Sequence, residues 1–437
     1  MNYLSDLKKL LSIPSVYDSS TITPNTPYGK AIQKALDFMQ DLAILNGFET
    51  NTYDGHAISI QLGHQCERID VVSHLDVVQA SDDWESDPFD PIIKDGRIIA
   101  RGTQDMKSLA LLMFYVLRDI KRENIVLRRQ VRLVYGADEE RTMKDIEHYI
   151  KIEGEPDFAF TPDGYFPLSI GEKGAIMWLV KGECDSEITI NGGIQCNVVS
   201  PICIVEVPIK YLERINEMKN TGVFDINVIT DKSIELVFNG IASHASKPEL
   251  GVNANVEALK FLSSITDSQT IKSLYQTFQS SYGEGCNIQV QTSEMGNLTL
   301  NLGILKIVNQ KVYCEVDCRY PIHAQSDKMT HKLQNKLSPL LVSCPYDAKP
   351  SLHSMESPYI KTLLETYKKW SNEDLTPIVS GGVSYSKVMK NCVAFGPMRL
   401  DEESLAHQKN ESIELDYLNS LFSVYKNAII SLANQGE

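Results

Sequence analysis

The stretch RIDVVSHLDVVQA, residues 68 to 80, decides the fold. Ile69, Val71, Val72, Val77 and Val78 are β-branched and read as a buried strand. His74 and Asp76 interrupt that run. Two ionisable side chains in an apolar strand are costly unless something compensates them. The partner has to be found elsewhere in the chain.

Working outward, AISIQLG (57–63), IDVVSH (69–74), VRLVYGA (131–137) and FAFTPDG (158–164) read as strands. KSLALLMFYVLRDIKR (107–122) has the length and period of a helix. Strand, helix, strand predicts a right-handed crossover and a parallel sheet. After GEKGA (171–175) the texture changes. Short strands such as SIELVFNGIASH (233–244) and QKVYCEVDCRYP (310–321) mix with helical pieces such as VNANVEALKFLSSI (252–265). From residue 353 the first texture returns, with a helix through YIKTLLETYKKW, a strand at NCVAFGP (391–397) and a closing helix. The expected fold is α/β: a catalytic domain with a mainly parallel sheet flanked by helices, interrupted by an α+β lid domain. The expected segments are 1–178 and 353–437 for the catalytic domain and 179–352 for the lid.

Bulk properties fit this and exclude several classes. A chain of 437 residues exceeds one ordinary core. Forty-two basic against 57 acidic residues leave a net charge of -15, without the basic footprint that nucleic acid or an anionic membrane requires. The opening MNYLSDLKKLLSIPSV lacks the basic and long apolar regions of a signal peptide, and its leucines fit one face of a short helix. No apolar run reaches the ~18 residues of a membrane span. Nine dispersed cysteines, none spaced CxxC, predict a reduced, cytoplasmic protein.

The ionisable residues then fall into place. His74 and Asp76 end one strand, Asp138, Glu139 and Glu140 follow VRLVYG, Asp163 follows FAFTP, and Asp105 precedes the helix at Lys107. In a parallel sheet, strand C-termini and helix N-termini open on one edge, where such folds put their sites. Each feature alone has a plainer reading: an N-cap for Asp105, a solvated loop for DEE, a turn for PDG. Together they place close-set carboxylates that repel unless a cation joins them. Neighbouring residues in an extended segment point in opposite directions, so of Glu139 and Glu140 one can ligate while the other faces the reacting centre. Asp76 is better placed behind His74 as the group fixing its tautomer. One ligand is still lacking, and a second histidine is the natural candidate.

The motifs SHLDVV, ARGTQDMKS, GADEE, TPDGYFP, SHASKPELGVNA, DCRYP and AHQKNESI resemble, in that order, those of the co-catalytic metallopeptidase family of carboxypeptidase G, aminoacylases and carnosinases. SGGVSYSKVMKNCVAFGP followed by AHQKNE is similar to the PepV-type bacterial dipeptidases. The resemblance implies that Asp105 bridges two divalent ions, with a cis peptide bond after it. His74 and Asp163 would complete one site, and Glu140 and His407 the other. It makes Glu139 the general base, Asp76 the orienter of His74, and His244 the group that stabilises the reacting carbonyl oxygen. Arg319 would hold the substrate carboxylate, with Asn197 and Gly382 also on the substrate side. Gly382 lies in GGVSY (381–385), where the PepV-like segment has GGTYA. Met106, Ser108 and Leu109 also depart from common family residues, and none of these changes touches a ligand.

Imidazole and carboxylate ligands suit zinc, and also manganese or cobalt. The expected activity is that of a metallodipeptidase cleaving short unblocked peptides, working as a monomer, with a homodimer as the alternative. A deacylase of N-acyl or N-succinyl amino acids is the nearest rival. An inactive binder of amino acid derivatives is the remote one.

Overall fold

The computed structural model describes residues 3–218, 224–402 and 404–435. It divides into two compact units, Met1–Gly171 with Leu352–Glu437, and Glu172–Ser351. The expected break after residue 178 would cut the strand Gly174–Glu183, which pairs with Lys311–Tyr320 and Leu341–Ala348 of the second unit.

The first unit is built on a nine-stranded sheet. Its centre is four parallel strands in the order Gln130–Gly136, Arg68–His74, Phe158–Thr161, Cys392–Ala394. Val71 stands opposite Leu133 on one side and Phe160 on the other. Antiparallel strands finish both margins, Glu49–Tyr53 and Ala57–Leu62 at one and Ser169–Glu172 towards the other. The helix expected over 107–122 is Lys107–Arg122. It packs with the helices Tyr3–Leu11 and Leu415–Asn434.

Period-two alternation sorts the central strands between two layers. Ile69, Val71 and Phe160 join the large core beneath those helices. Val72 and Ala159 join a second cluster with Ile146, Tyr149 and Tyr385. All seven residues of Arg68–His74 are buried, so the histidine at its end is carried by a strand packed along its whole length. A small three-stranded sheet pairs Ile92–Lys94 with Arg97–Ile99, and Arg97–Ile99 with Ser412–Glu414. That pairing brings the segment after His407 alongside the loop that carries Asp105.

The second unit holds an eight-stranded antiparallel sheet. The helices Ala254–Ile265, Gln269–Phe278 and Ser326–Leu337 bury one face against it, around Trp178, Phe238 and Leu262. No helix among the described residues is long and apolar enough to cross a membrane.

Candidate metal centre

The carboxyl ends of three parallel strands carry His74 with Asp76, Glu139 with Glu140, and Asp163, and the connections before Lys107 and before Ser412 bring Asp105 and His407 to them. Asp105 stands between two histidines. Its Oδ1 is 3.0 Å from His74 Nε2, and its Oδ2 is 3.0 Å from His407 Nε2. Glu140 Oε2 is also 3.0 Å from His407 Nε2, whereas Glu139 Oε2 is 3.9 Å from His74 Nε2. Asp163 Oδ2 lies 3.7 Å from the same His74 nitrogen. Ligand atoms of His74, Glu139 and Asp163 all fall within 4.8 Å of one another, as do those of His74, Asp105 and Glu140. The two glutamates lie in a turn beyond the strand Gln130–Gly136, not in the extended segment expected from the sequence; the nearest histidine contact of Glu139 is His74 and that of Glu140 is His407. The Asp105–Met106 peptide bond is cis.

Asp76 works through two groups. Its backbone carbonyl is the nearest partner of His74 Nδ1, at 2.9 Å, with the carboxylate at 3.5 Å. The carboxylate accepts the backbone N–H of Glu139 at 3.3 Å and of Glu140 at 3.1 Å. One residue therefore fixes the ring of His74 and the backbone of both glutamates.

The charges explain what this cluster asks for. Burial opposes protonating His74, but its bonds to Asp105 and Asp76 and the charge of Glu139 outweigh that and push its pKa well above the usual range. Burial likewise opposes charging His407, and Asp105 and Glu140 carry it up to about 11. Burial raises Glu139 and Glu140; the charges of Asp163, Glu140 and Asp105 add to the rise for Glu139, and that of Asp105 for Glu140. Glu140 Oε1 is buried without a hydrogen-bond partner. Four carboxylates facing two imidazoles, with an orphaned carboxylate oxygen among them, form a donor set that fits divalent cations.

Sequence reasoning passed over the residues that support this cluster. Glu411 is fully buried and binds Arg101 and the backbone of the Asp105 loop. Asp145 accepts the N–H of Ala137 at 2.6 Å and of Asp138 at 2.9 Å, and the hydroxyl of Tyr385. Burial pushes the Asp145 carboxyl up to about 7. The signal for Glu411 lay within the quoted AHQKNESI, but a buried glutamate cannot be told from a solvated one by its letter.

The remaining predicted residues are placed as follows. Gly382 follows the strand Ile378–Ser380, and its N–H donates to Ser380 Oγ at 2.9 Å. In the second unit, Asn197 and His244 are neighbours: Val198 bridges to His244, and the Asn197 carbonyl accepts Ala245 N–H at 2.9 Å. His244 is exposed, and its Nδ1 accepts Ser246 N–H at 3.2 Å. Arg319 is buried near the end of its strand, where Nε and Nη2 each donate to Asp317 at 2.8 Å.

An α/β domain with such a cluster at the carboxyl edge of its parallel strands is the architecture of a metal-dependent hydrolase. The chain belongs to peptidase family M20/M25/M40, whose model matches residues 71–431, and it is a peptide-bond hydrolase. It is 30% identical to a Staphylococcus epidermidis protein named as a presumed dipeptidase, over 98% of this chain and 96% of that one. A Staphylococcus aureus protein of like name is 31% identical over the same shares. Among solved structures, human carnosine dipeptidase 1 has a TM-score of 0.63 at 12% identity, covering 99% of this chain and 96% of that chain. The Saccharomyces cerevisiae di-peptidase Dug1p has a TM-score of 0.61 at 15% identity, covering 100% and 96%. At those identities the structures speak for the fold alone.

Proposed function

We propose that this peptidase is a dipeptidase acting on short unblocked peptides. The convergence of His74, Asp105, Glu139, Glu140, Asp163 and His407 at one sheet edge carries the reading. The end-to-end likeness to proteins named as presumed dipeptidases supports the substrate class. Asp105 would be shared by two divalent ions, zinc by the character of the ligands and with manganese or cobalt also suited. His74 and Asp163 would hold one with it, Glu140 and His407 the other. When bound, the ions supply Lewis acidity towards water and the peptide carbonyl.

The chain's own residues do the rest. Glu139 takes the proton of the attacking water and passes it to the leaving amine. Asp76 holds His74 and both glutamates in register. By the resemblance, His244 donates to the carbonyl oxygen, and Arg319 meets the substrate carboxylate, with Asn197 and Gly382 beside it. The enzyme is monomeric and cytoplasmic, the latter supported by nine dispersed cysteines without CxxC spacing.

Glu139→Gln tests the division of labour. It should keep its metal content while kcat falls about 10²–10⁴-fold, the usual loss for a general base. A variant with metal content intact and near-normal kcat would remove Glu139 from the role.

A further inference from the structure

Asp105 sits in an irregular connection between the strand Arg97–Ile99 and the helix Lys107–Arg122, with Gly102 at a φ of +88°. A buried loop keeps its shape only if its amides find acceptors. Here they share one carboxylate. Glu411 Oε2 accepts Gly102 N–H at 3.1 Å and Arg101 Nη1 at 2.8 Å. Its Oε1 accepts Gln104 N–H at 2.7 Å and Asp105 N–H at 3.0 Å. Glu411 is fully buried, so water does not compete for these bonds.

The segment bearing Glu411 also bears His407. Arg101 Nη2 reaches the His407 carbonyl at 3.4 Å, and Leu405 N–H donates to Gln104 Oε1 at 2.7 Å. The backbone carbonyl of Glu411 accepts Ala100 N–H at 3.1 Å. One short segment therefore grips the Asp105 loop along its backbone while His407 meets Asp105 Oδ2. The two histidines differ in how they are held. His74 ends a strand buried throughout, whereas His407 is 49% exposed at its side chain and lies in a loop with a φ of +64°. Both distances depend on the Asp105 loop that Glu411 holds, but His407 also lies in the segment that Glu411 belongs to, so its distance depends on the tether at both ends.

We propose that Glu411 is a positioning residue that fixes Asp105 relative to His407 and thereby sets the affinity of the ion held by Asp105, Glu140 and His407. The ion at His74 and Asp163 shares Asp105 and depends on Glu411 less, because His74 ends a strand buried throughout. This rests on the cluster being a dinuclear metal centre. Shape alone does not suffice: a glutamine at 411 would turn an amino group towards donors and leave the Arg101 guanidinium without its counter-charge.

The test is zinc titration of the full chain against a competing chromophoric chelator, with elemental analysis after dialysis. Glu411→Gln should weaken one of two zinc ions about 10–100-fold, the usual cost of losing a group that orients a ligand, and weaken the other by a clearly smaller factor. In a His407→Ala background the same substitution should add a smaller loss than it causes in the wild type. Should Glu411→Gln fail to fold, Gln104→Ala severs the links of that side chain to Leu405 N–H and Ser404 Oγ, leaves Glu411 in place, and should weaken the same ion by a smaller factor. Wild-type affinity for both ions in the folded variants, or equal weakening of both, overturns the proposal. A wild-type chain that binds fewer than two zinc ions overturns the metal-centre reading beneath it, and this proposal with it.

Discussion

His74 and His407 meet opposite oxygens of Asp105, and both rings hold their protons far above the usual histidine range. A metal ion can bind only a deprotonated imidazole nitrogen, so binding must expel these protons. Apparent metal affinity should therefore rise with pH through the neutral range, about tenfold per pH unit for each proton displaced. In a metal-free chain the linkage has the other sign. Raised folded-state values give stability that is complete below the unfolded pKa of about 6.5 and lost as pH climbs through the folded values. Competition titrations with zinc at several pH values check the first statement, and urea melts of the chelated chain check the second. Affinity independent of pH would mean that the two rings are not ligands.

At the scale of elements, the helix Lys107–Arg122 binds the site to the core. Its first three turns are buried from Lys107 to Leu117. Phe114 is fully buried, edge-on to Phe48 and Tyr115. Phe114→Ala should cost about 3–5 kcal/mol, read from urea unfolding, while KM of the folded fraction stays unchanged. A loss below about 1 kcal/mol would show that the helix is less closely packed than its burial implies. This helix was legible in the sequence because its apolar run has a clear length and period, and so were the central strands. The edge strand Glu49–Tyr53 was not: ETNTY exposes most of its residues and carries no apolar alternation. The same limit governed the site. Asp105, Glu139, Glu140 and Asp163 could be placed because each adjoins a recognisable element, and His407 came only with the family resemblance. Glu411 and Arg101 stayed hidden because their partners lie some 300 residues away in a loop, at separations that no local pattern records.

For the whole molecule, the monomer proposal has its own test. Glu139→Gln and His244→Ala should each be inactive, and mixing them should restore nothing. Recovered activity on mixing would mean that subunits share sites, as a homodimer with exchanged histidines would. Substrate class is the claim on which the rest depends, since a deacylase of N-acyl amino acids would use the same cluster and the same base. The direct measurement is steady-state turnover of a panel of unblocked dipeptides beside their N-acetyl and N-succinyl amino acid counterparts. The chain is first stripped with chelator and then supplied with zinc, manganese or cobalt in turn. The account predicts no turnover without metal and, with metal restored, kcat/KM highest for free dipeptides. Preference for the N-acyl or N-succinyl compounds, or dipeptide hydrolysis undiminished by chelation, would contradict it.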